Sequence, residues 1–211
     1  MNRTPPTVNT SQGGCASRVQ NILETLRERT QPDHAAIETS LGVLVSDLVT
    51  ETVYRQILRA LYGYYLPLET RLAKVLFTLP AEQCWRWAER SSLLADDLRA
   101  LGTCDLEGIP LCTALPSLET FPSLVGCLYV LEGAALGGRV INRHLLARLG
   151  ITQERGGRFV HGAGDETGDH WKRFTAKVSA LTLTPDESDQ TVTNAIATFR
   201  TMHAWCERAR A

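Results

Sequence analysis

The chain has 211 residues and a mass of 23.3 kDa, enough for one domain whose core needs no disulfide or metal staple. Lys and Arg total 22 against 23 Asp and Glu, a net charge of −1, and the charges are dispersed, which argues against a nucleic-acid binder. Six cysteines, at positions 15, 84, 104, 112, 127 and 206, form no Cys-x-x-Cys pair and no Cys/His cluster, so reduced thiols in a cytoplasmic protein fit better than a disulfide framework or a zinc site.

The chain opens "MNRTPPTVNTSQGGCAS", which lacks the apolar stretch of a signal peptide or an anchor. Residues 1–16 are predicted to be a disordered tail and 17–211 a helical domain. Helical period dominates and no alternating strand stands out, so the fold class is predicted all-α. Helices are predicted over 17–29, 31–49, 51–77 with a break near Gly63 to Pro67, 82–100, 117–149, 168–181 and 185–208. The stretches 101–116 and 150–168, rich in glycine and proline, read as irregular connections. Thr184 before Pro185 and Asp186 is a cap with proline at the first helical position. The longest apolar run, around 124–141, contains Glu132 and Arg139, which argues against a membrane span.

Two stretches carry chemical information. In "LRERTQPDHAAIE", Leu26 to Glu38, Thr30, Pro32 and Asp33 are the signals of a helix start or kink. His34, Ile37, Glu38 and Leu41 then recur on one helix face. A histidine on an apolar face is commonly a satisfied core residue. Here Glu38 at i+4 can accept from Nδ1, directly or through water, and leave Nε2 electron-rich, as carboxylates do behind metal-bound imidazoles. One protein nitrogen cannot hold a bare metal ion, but it suffices for an axial ligand to heme, whose porphyrin supplies four more.

The second stretch is "LVGCLYVLEGAALGGRVINRHLLARLG", Leu124 to Gly150. Interior glycines each cost a helix about 0.8–1 kcal/mol relative to alanine. At about 100° per residue, Gly126, Gly133 and Gly137 share one face to within roughly 40°, with Gly138 off to one side. A bared backbone allows either another helix or a flat ligand to approach, and the spacing alone leaves both open.

Together these segments resemble the heme oxygenase family. "LRERTQPDHAAIE" is similar to its proximal-helix pattern and "YVLEGAALGG" to its glycine-rich distal helix. "LYGYYLPLE" (61–69), "HWKRFTAKVSALTLTP" (170–185) and "AIATFRTMHAWCE" (195–207) resemble further family segments in the same order, so the likeness covers about residues 17–208. The style is closest to bacterial members, including those associated with bacteriophytochromes.

The resemblance implies an all-α fold with heme between proximal and distal helices. It also implies the reaction, in which heme, O2 and external electrons give biliverdin, CO and ferrous iron. By residue, it implies His34 as the iron ligand, Glu38 as the partner behind it, and Gly133 and Gly137 as the positions where the distal backbone nears the oxygen site. Gly138 would support the bend. Arg27, seven residues before His34, would meet a heme propionate, with Lys172, Arg173 and Lys177 as further options. Phe199, Phe174 and Tyr129 are candidates to line the pocket. Ala134 departs from the animal enzymes, which carry an aspartate there. Glu132, beside Gly133, reads first as a solvent or inter-helix ion pair. Electrons would come from a ferredoxin or a flavoprotein reductase, since no nucleotide-binding fingerprint is present, and a bacteriophytochrome is a candidate recipient of biliverdin. No nucleic-acid or membrane partner is expected. The alternatives are a non-catalytic heme carrier or sensor of the same fold, which Ala134 keeps open, and a relative that has lost heme.

Overall fold

A computed structural model describes residues 21–80, 85, 87 and 89–210 of the protein. The predicted tail, 1–16, lies outside the described residues, as do Cys15 and Cys84. The elements are α1 (Ile22–Leu41), a 3-10 turn (Gly42–Val45), α2 (Glu51–Thr78), α3 (Ser91–Ala100), α4 (Phe121–Leu149), a short α5 (Arg158–His161), a 3-10 turn (Gly164–Glu166), α6 (Thr167–Ser179) and α7 (Pro185–Arg210). Among the described residues there is no strand.

The chain passes through Thr30 and Pro32 without starting a new helix, contrary to the sequence reading. Asn21 caps α1 instead, accepting from the Leu23 N–H at 3.0 Å. Thr30 is buried mid-helix and its hydroxyl donates to the Leu26 carbonyl at 2.7 Å. The Asp33 carboxylate, expected near a helix start, instead meets the Arg200 guanidinium of α7 at 2.7 Å. The predicted segment 31–49 therefore splits into the end of α1, a 3-10 turn and an open connection to α2.

Nor does α2 break at Gly63 to Pro67. Pro67 has no N–H for the carbonyl four residues back, which is that of Gly63. Cys112 supplies the missing donor from the 101–116 connection, its N–H reaching the Gly63 oxygen at 2.8 Å. Gly63 has no side chain to obstruct that approach, and a Cβ there would collide with the Pro110 carbonyl and stand 2.9 Å from the Trp205 ring. An orphaned carbonyl is thus satisfied by tertiary structure and the helix continues. The predicted helix 82–100 begins only at Ser91, although residues 81–84, 86 and 88 lie outside the described set. There the buried Glu69 carboxylate accepts the backbone N–H groups of Arg90 (2.9 Å) and Ser91 (3.0 Å), doing what no side chain of the helix itself does.

The last helix starts as predicted. The Thr184 hydroxyl accepts the Glu187 N–H at 3.2 Å while the Glu187 carboxylate accepts the Thr184 N–H at 2.8 Å, a reciprocal cap. α7 is the common wall of the molecule, packing along both α1 and α4 and touching α2. Tyr64 of α2 donates or accepts at Thr201 (2.8 Å) and donates to the Thr198 carbonyl (3.1 Å), and Trp205 donates to the Ala60 carbonyl at 2.7 Å. Within the 150–168 connection, the buried Asp97 accepts the N–H groups of Arg158 and Phe159, both at 2.8 Å, and so organises α5. Burial pushes the Asp97 carboxyl up to about 6.

α4 changes character along its length. Residues 122–131 are buried apart from the partly exposed Tyr129, whereas from residue 133 onward the helix is largely open to solvent. By length and composition α4 is apolar enough to cross a membrane; its first half is a core helix here. The reason it fits so deeply is Gly126. A Cβ there would collide with the Thr191 carbonyl of α7 and stand 2.9 Å from the Ala195 nitrogen. Both obstacles are backbone and cannot rotate away. Gly126→Ala is therefore expected to force α4 and α7 apart and to lower stability by about 1–3 kcal/mol, read as a lower urea midpoint at an unchanged slope.

Candidate active site

α1 and α4 both lean on α7, yet they do not pack along one another. They are bridged at two places. At one end the Tyr129 phenol of α4 lies against Thr30 and within reach of the Arg27 charge, and burial raises its pKa. At the other, His144 of α4 meets the Ser46 carbonyl beyond α1 at 3.0 Å. Residues 34–41 and 133–140 therefore border one gap, spanned at both ends and floored by α7.

On the α1 side, His34 is half exposed, its side chain at 51%. Its ring meets the buried Phe199 of α7 edge-on, with centroids 5.5 Å apart. Next to it, the Asp33–Arg200 ion pair ties α1 to α7, so the imidazole stands on a clamped turn of helix. Glu38 lies one turn on, with Oε1 3.6 Å from His34 Nε2. That differs from the expected Nδ1 contact. The torsion that turns a histidine ring is broad and roughly two-fold, so half a rotation exchanges the two nitrogens, and a ring this open has room to make it. Because α1 is continuous, Arg27 lies on nearly the same side as His34. With Glu24, Glu28 and Gln31 it lines a depression of about 610 Å³ that continues the same stripe of α1.

On the α4 side, the glycines divide into three uses. Gly126 serves the α7 contact already described. Gly138 lies on the opposite side of the helix, where a Cβ would collide with the Val160 carbonyl of α5, so its missing side chain admits α5 and not a ligand. Gly133 faces Trp171 of α6, whose ring would stand 3.6 Å from a Cβ. Gly137 faces nothing within 4 Å. It is flanked by the exposed Leu136 (39%) and Val140 (63%), so a bare backbone and two unpartnered aliphatics present one apolar surface. A flat apolar ring with an iron at its centre matches that surface and the half-open imidazole across the gap. His34 is a suitable ligand nitrogen, and among the described residues no cluster of three or more metal-ligating side chains competes with it.

Of the cations weighed from sequence, Lys172 pairs with Asp169 at 3.0 Å and Lys177 lies 4.6 Å over the Trp85 ring. Arg27 remains the one bordering the gap. Phe174 stacks on Trp171 and meets Trp85 edge-on, away from His34. Sequence reasoning missed Arg200, Leu136 and Val140. Nothing local marks Arg200 as the partner of Asp33, whereas the i, i+4 aliphatic pair beside Gly137 was a readable signal.

The sequence model of the family described as Heme oxygenase matches residues 20–208. The chain belongs to the heme oxygenase family. A protein named heme oxygenase from Xanthomonas campestris pv. campestris is 31% identical over 152 residues, which is 71% of this chain and 86% of that one. Solved structures agree in fold. Heme oxygenase from Leptospira interrogans superposes with a TM-score of 0.74 at 18% identity, over 89% of this chain and 99% of that one. The heme complex of a cyanobacterial heme oxygenase from Synechocystis gives 0.70 at 17% identity over 89% and 91%. The NO- and CO-bound enzyme from Neisseria meningitidis gives 0.69 at 20% identity over 90% and 92%. For this heme oxygenase family member, the all-helical architecture read from the sequence is the architecture observed.

The three glycine environments separate two substitutions that look alike in sequence. Gly137→Ala meets no neighbour, so it is expected to stabilise the heme-free protein by about 0.8–1 kcal/mol through helix propensity while slowing biliverdin formation on the order of tenfold, about 1.4 kcal/mol of barrier. Gly138→Ala is expected to destabilise the heme-free protein instead. Urea unfolding of both variants, alongside single-turnover rates, checks the opposite signs.

Proposed function

We propose that this protein is a heme oxygenase whose reaction centre is the gap between His34 and Gly137, converting heme, O2 and external electrons to biliverdin, CO and ferrous iron. The observation that carries this reading is the pairing of a half-open histidine on a clamped helix with a bared, unpartnered stretch of α4 across a gap bridged at both ends. Family membership supports the same reading.

His34 holds the iron. Phe199 fixes the ring edge and Glu38, a turn further on, receives its outer N–H when the ring is turned for ligation, which keeps the ligand nitrogen electron-rich. Gly133 and Gly137 keep side chains away from the oxygen site, and Leu136 and Val140 exclude water from the ring face. Ala134 adds no acid. Arg27, on the same side of α1 as His34, neutralises a propionate at the cleft mouth. Bound heme supplies both the metal at which oxygen is reduced and the carbon that is oxidised. Electrons come from a ferredoxin or a flavoprotein reductase. The product is open to transfer to a biliverdin-binding photoreceptor of the bacteriophytochrome type. Four unbridged thiols among the described residues, Cys104, Cys112, Cys127 and Cys206, support a reducing, cytoplasmic setting.

The test is the visible spectrum of the purified protein with one equivalent of hemin, followed during reduction in air. A Soret band that gives way to a broad red biliverdin band is expected. A Soret band that persists identifies a carrier or sensor, and no bound heme at all removes the reading. His34→Ala is expected to lose the ligand-dependent Soret position, and added imidazole to restore it, while the far-ultraviolet helical signal stays unchanged.

A further inference from the structure

Position 134 offers no proton to the open face of α4, and the nearest acid on that helix is Glu132, one residue before Gly133. α6 faces this turn with two consecutive side chains. The Trp171 ring covers Gly133, and His170 bears electrostatically on Glu132. From the entrance to α3, Arg90 bears on Glu132 as well. Arg90 is itself held in place, its N–H bonded to Glu69 at 2.9 Å and its guanidinium 5.6 Å over the Phe159 ring. Among the described residues Glu132 closes no ion pair, so the exposed salt link read from sequence is replaced by a half-buried carboxyl between two partial counter-charges.

A second observation stands beside it. The Thr167 hydroxyl, at the start of α6, is fully buried and has no hydrogen-bond partner among the described residues. Thr167 Oγ1 and Arg90 Nη2 each lie 3.9 Å from the point where a Cβ on Gly162 would stand, so they flank the same small space. An unmet buried hydroxyl costs about 1–3 kcal/mol, and the ordinary remedy is a buried water with two to four polar partners.

We propose that Glu132, with Arg90, His170 and the Thr167 hydroxyl ordering water around it, supplies protons to the open face of α4 during heme cleavage, in place of an acid at position 134. The inference rests on the heme oxygenase reading above. In the step, the O–H bond of the Glu132 carboxyl breaks and an O–H bond forms on the reduced oxygen co-substrate through one intervening water. The electrons come from the external ferredoxin or flavoprotein, and solvent returns the proton to the carboxylate along the half-exposed His170 edge. Burial raises the Glu132 carboxyl above its usual range, while Arg90 and His170 pull it back down, which keeps a protonated fraction at higher pH than an exposed glutamate would have. These two are the charged groups that face it; His170 is in turn 3.8 Å from Glu166 of its own helix.

The experiment compares the ferric heme complexes of the wild type, Glu132→Gln, Glu132→Asp and Thr167→Val. The first readout is the pH midpoint of the visible-spectrum transition, which needs no turnover. Loss of a nearby negative charge in Glu132→Gln is expected to lower that midpoint by about half a pH unit. The second is biliverdin formation in H2O and D2O. Glu132→Gln is expected to slow it on the order of 100-fold with a larger solvent isotope effect, Glu132→Asp to recover part of the rate, and Thr167→Val to slow it with heme binding intact. A Glu132→Gln protein that keeps the wild-type midpoint and rate overturns the proposal. So does equal loss in Gln and Asp variants at an unchanged midpoint, which would mark Glu132 as a packing residue. If the wild type binds heme but forms no biliverdin, the oxygenase reading fails while the midpoint still decides whether Glu132 faces the site.

Discussion

The backbone-to-backbone approach of α4 and α7 at Gly126 is the contact on which the rest depends. With no side chain at that position, α4 can lie directly on the Thr191–Ala195 turn of α7, and its first half becomes core. α1 is fixed to the opposite flank of α7 by the Asp33–Arg200 ion pair and by the His34–Phe199 ring contact. Two helices seated on one wall without packing on each other leave a gap between them. The reaction centre is that gap, and its width follows from how deeply each helix sits.

The same logic explains why α4 tolerates so many glycines. Four interior glycines forfeit about 3–4 kcal/mol of helix propensity, a loss large enough to need compensation. Gly126 and Gly138 are compensated by close approach of α7 and α5 respectively, and Gly133 by the Trp171 ring. Gly137 has no protein neighbour to offset its share. Local stability is given up there for a surface that a ligand can reach, as is common where a structure serves chemistry over packing.

Much of this was legible in the sequence. Helical period identified the class, the Thr184–Pro185 signal located the start of α7, and the spacing of Gly126, Gly133 and Gly137 placed them on one face. The errors are equally instructive. Thr30, Pro32 and Asp33 are a valid local signature of a helix start, but a buried back-bond from Thr30 and a partner for Asp33 on another helix outweighed it. Pro67 is a valid helix breaker, but the carbonyl it orphans found the Cys112 N–H. In each case a local rule assumed that solvent would be the alternative partner, and a distant residue supplied a better one.

The sequence by itself determined which residues could do chemistry: one histidine with a carboxylate a turn away, and a helix with its side chains removed at regular intervals. Those properties are local, because period and residue type are carried by the chain itself. Only the tertiary structure decided which bared position stays open, since Gly126, Gly133, Gly137 and Gly138 are chemically identical and differ solely in what lies opposite. It likewise brought Arg90 and Thr167, distant in the chain, to the neighbourhood of Glu132. A close approach belongs to a pair of segments, and neither segment encodes it alone.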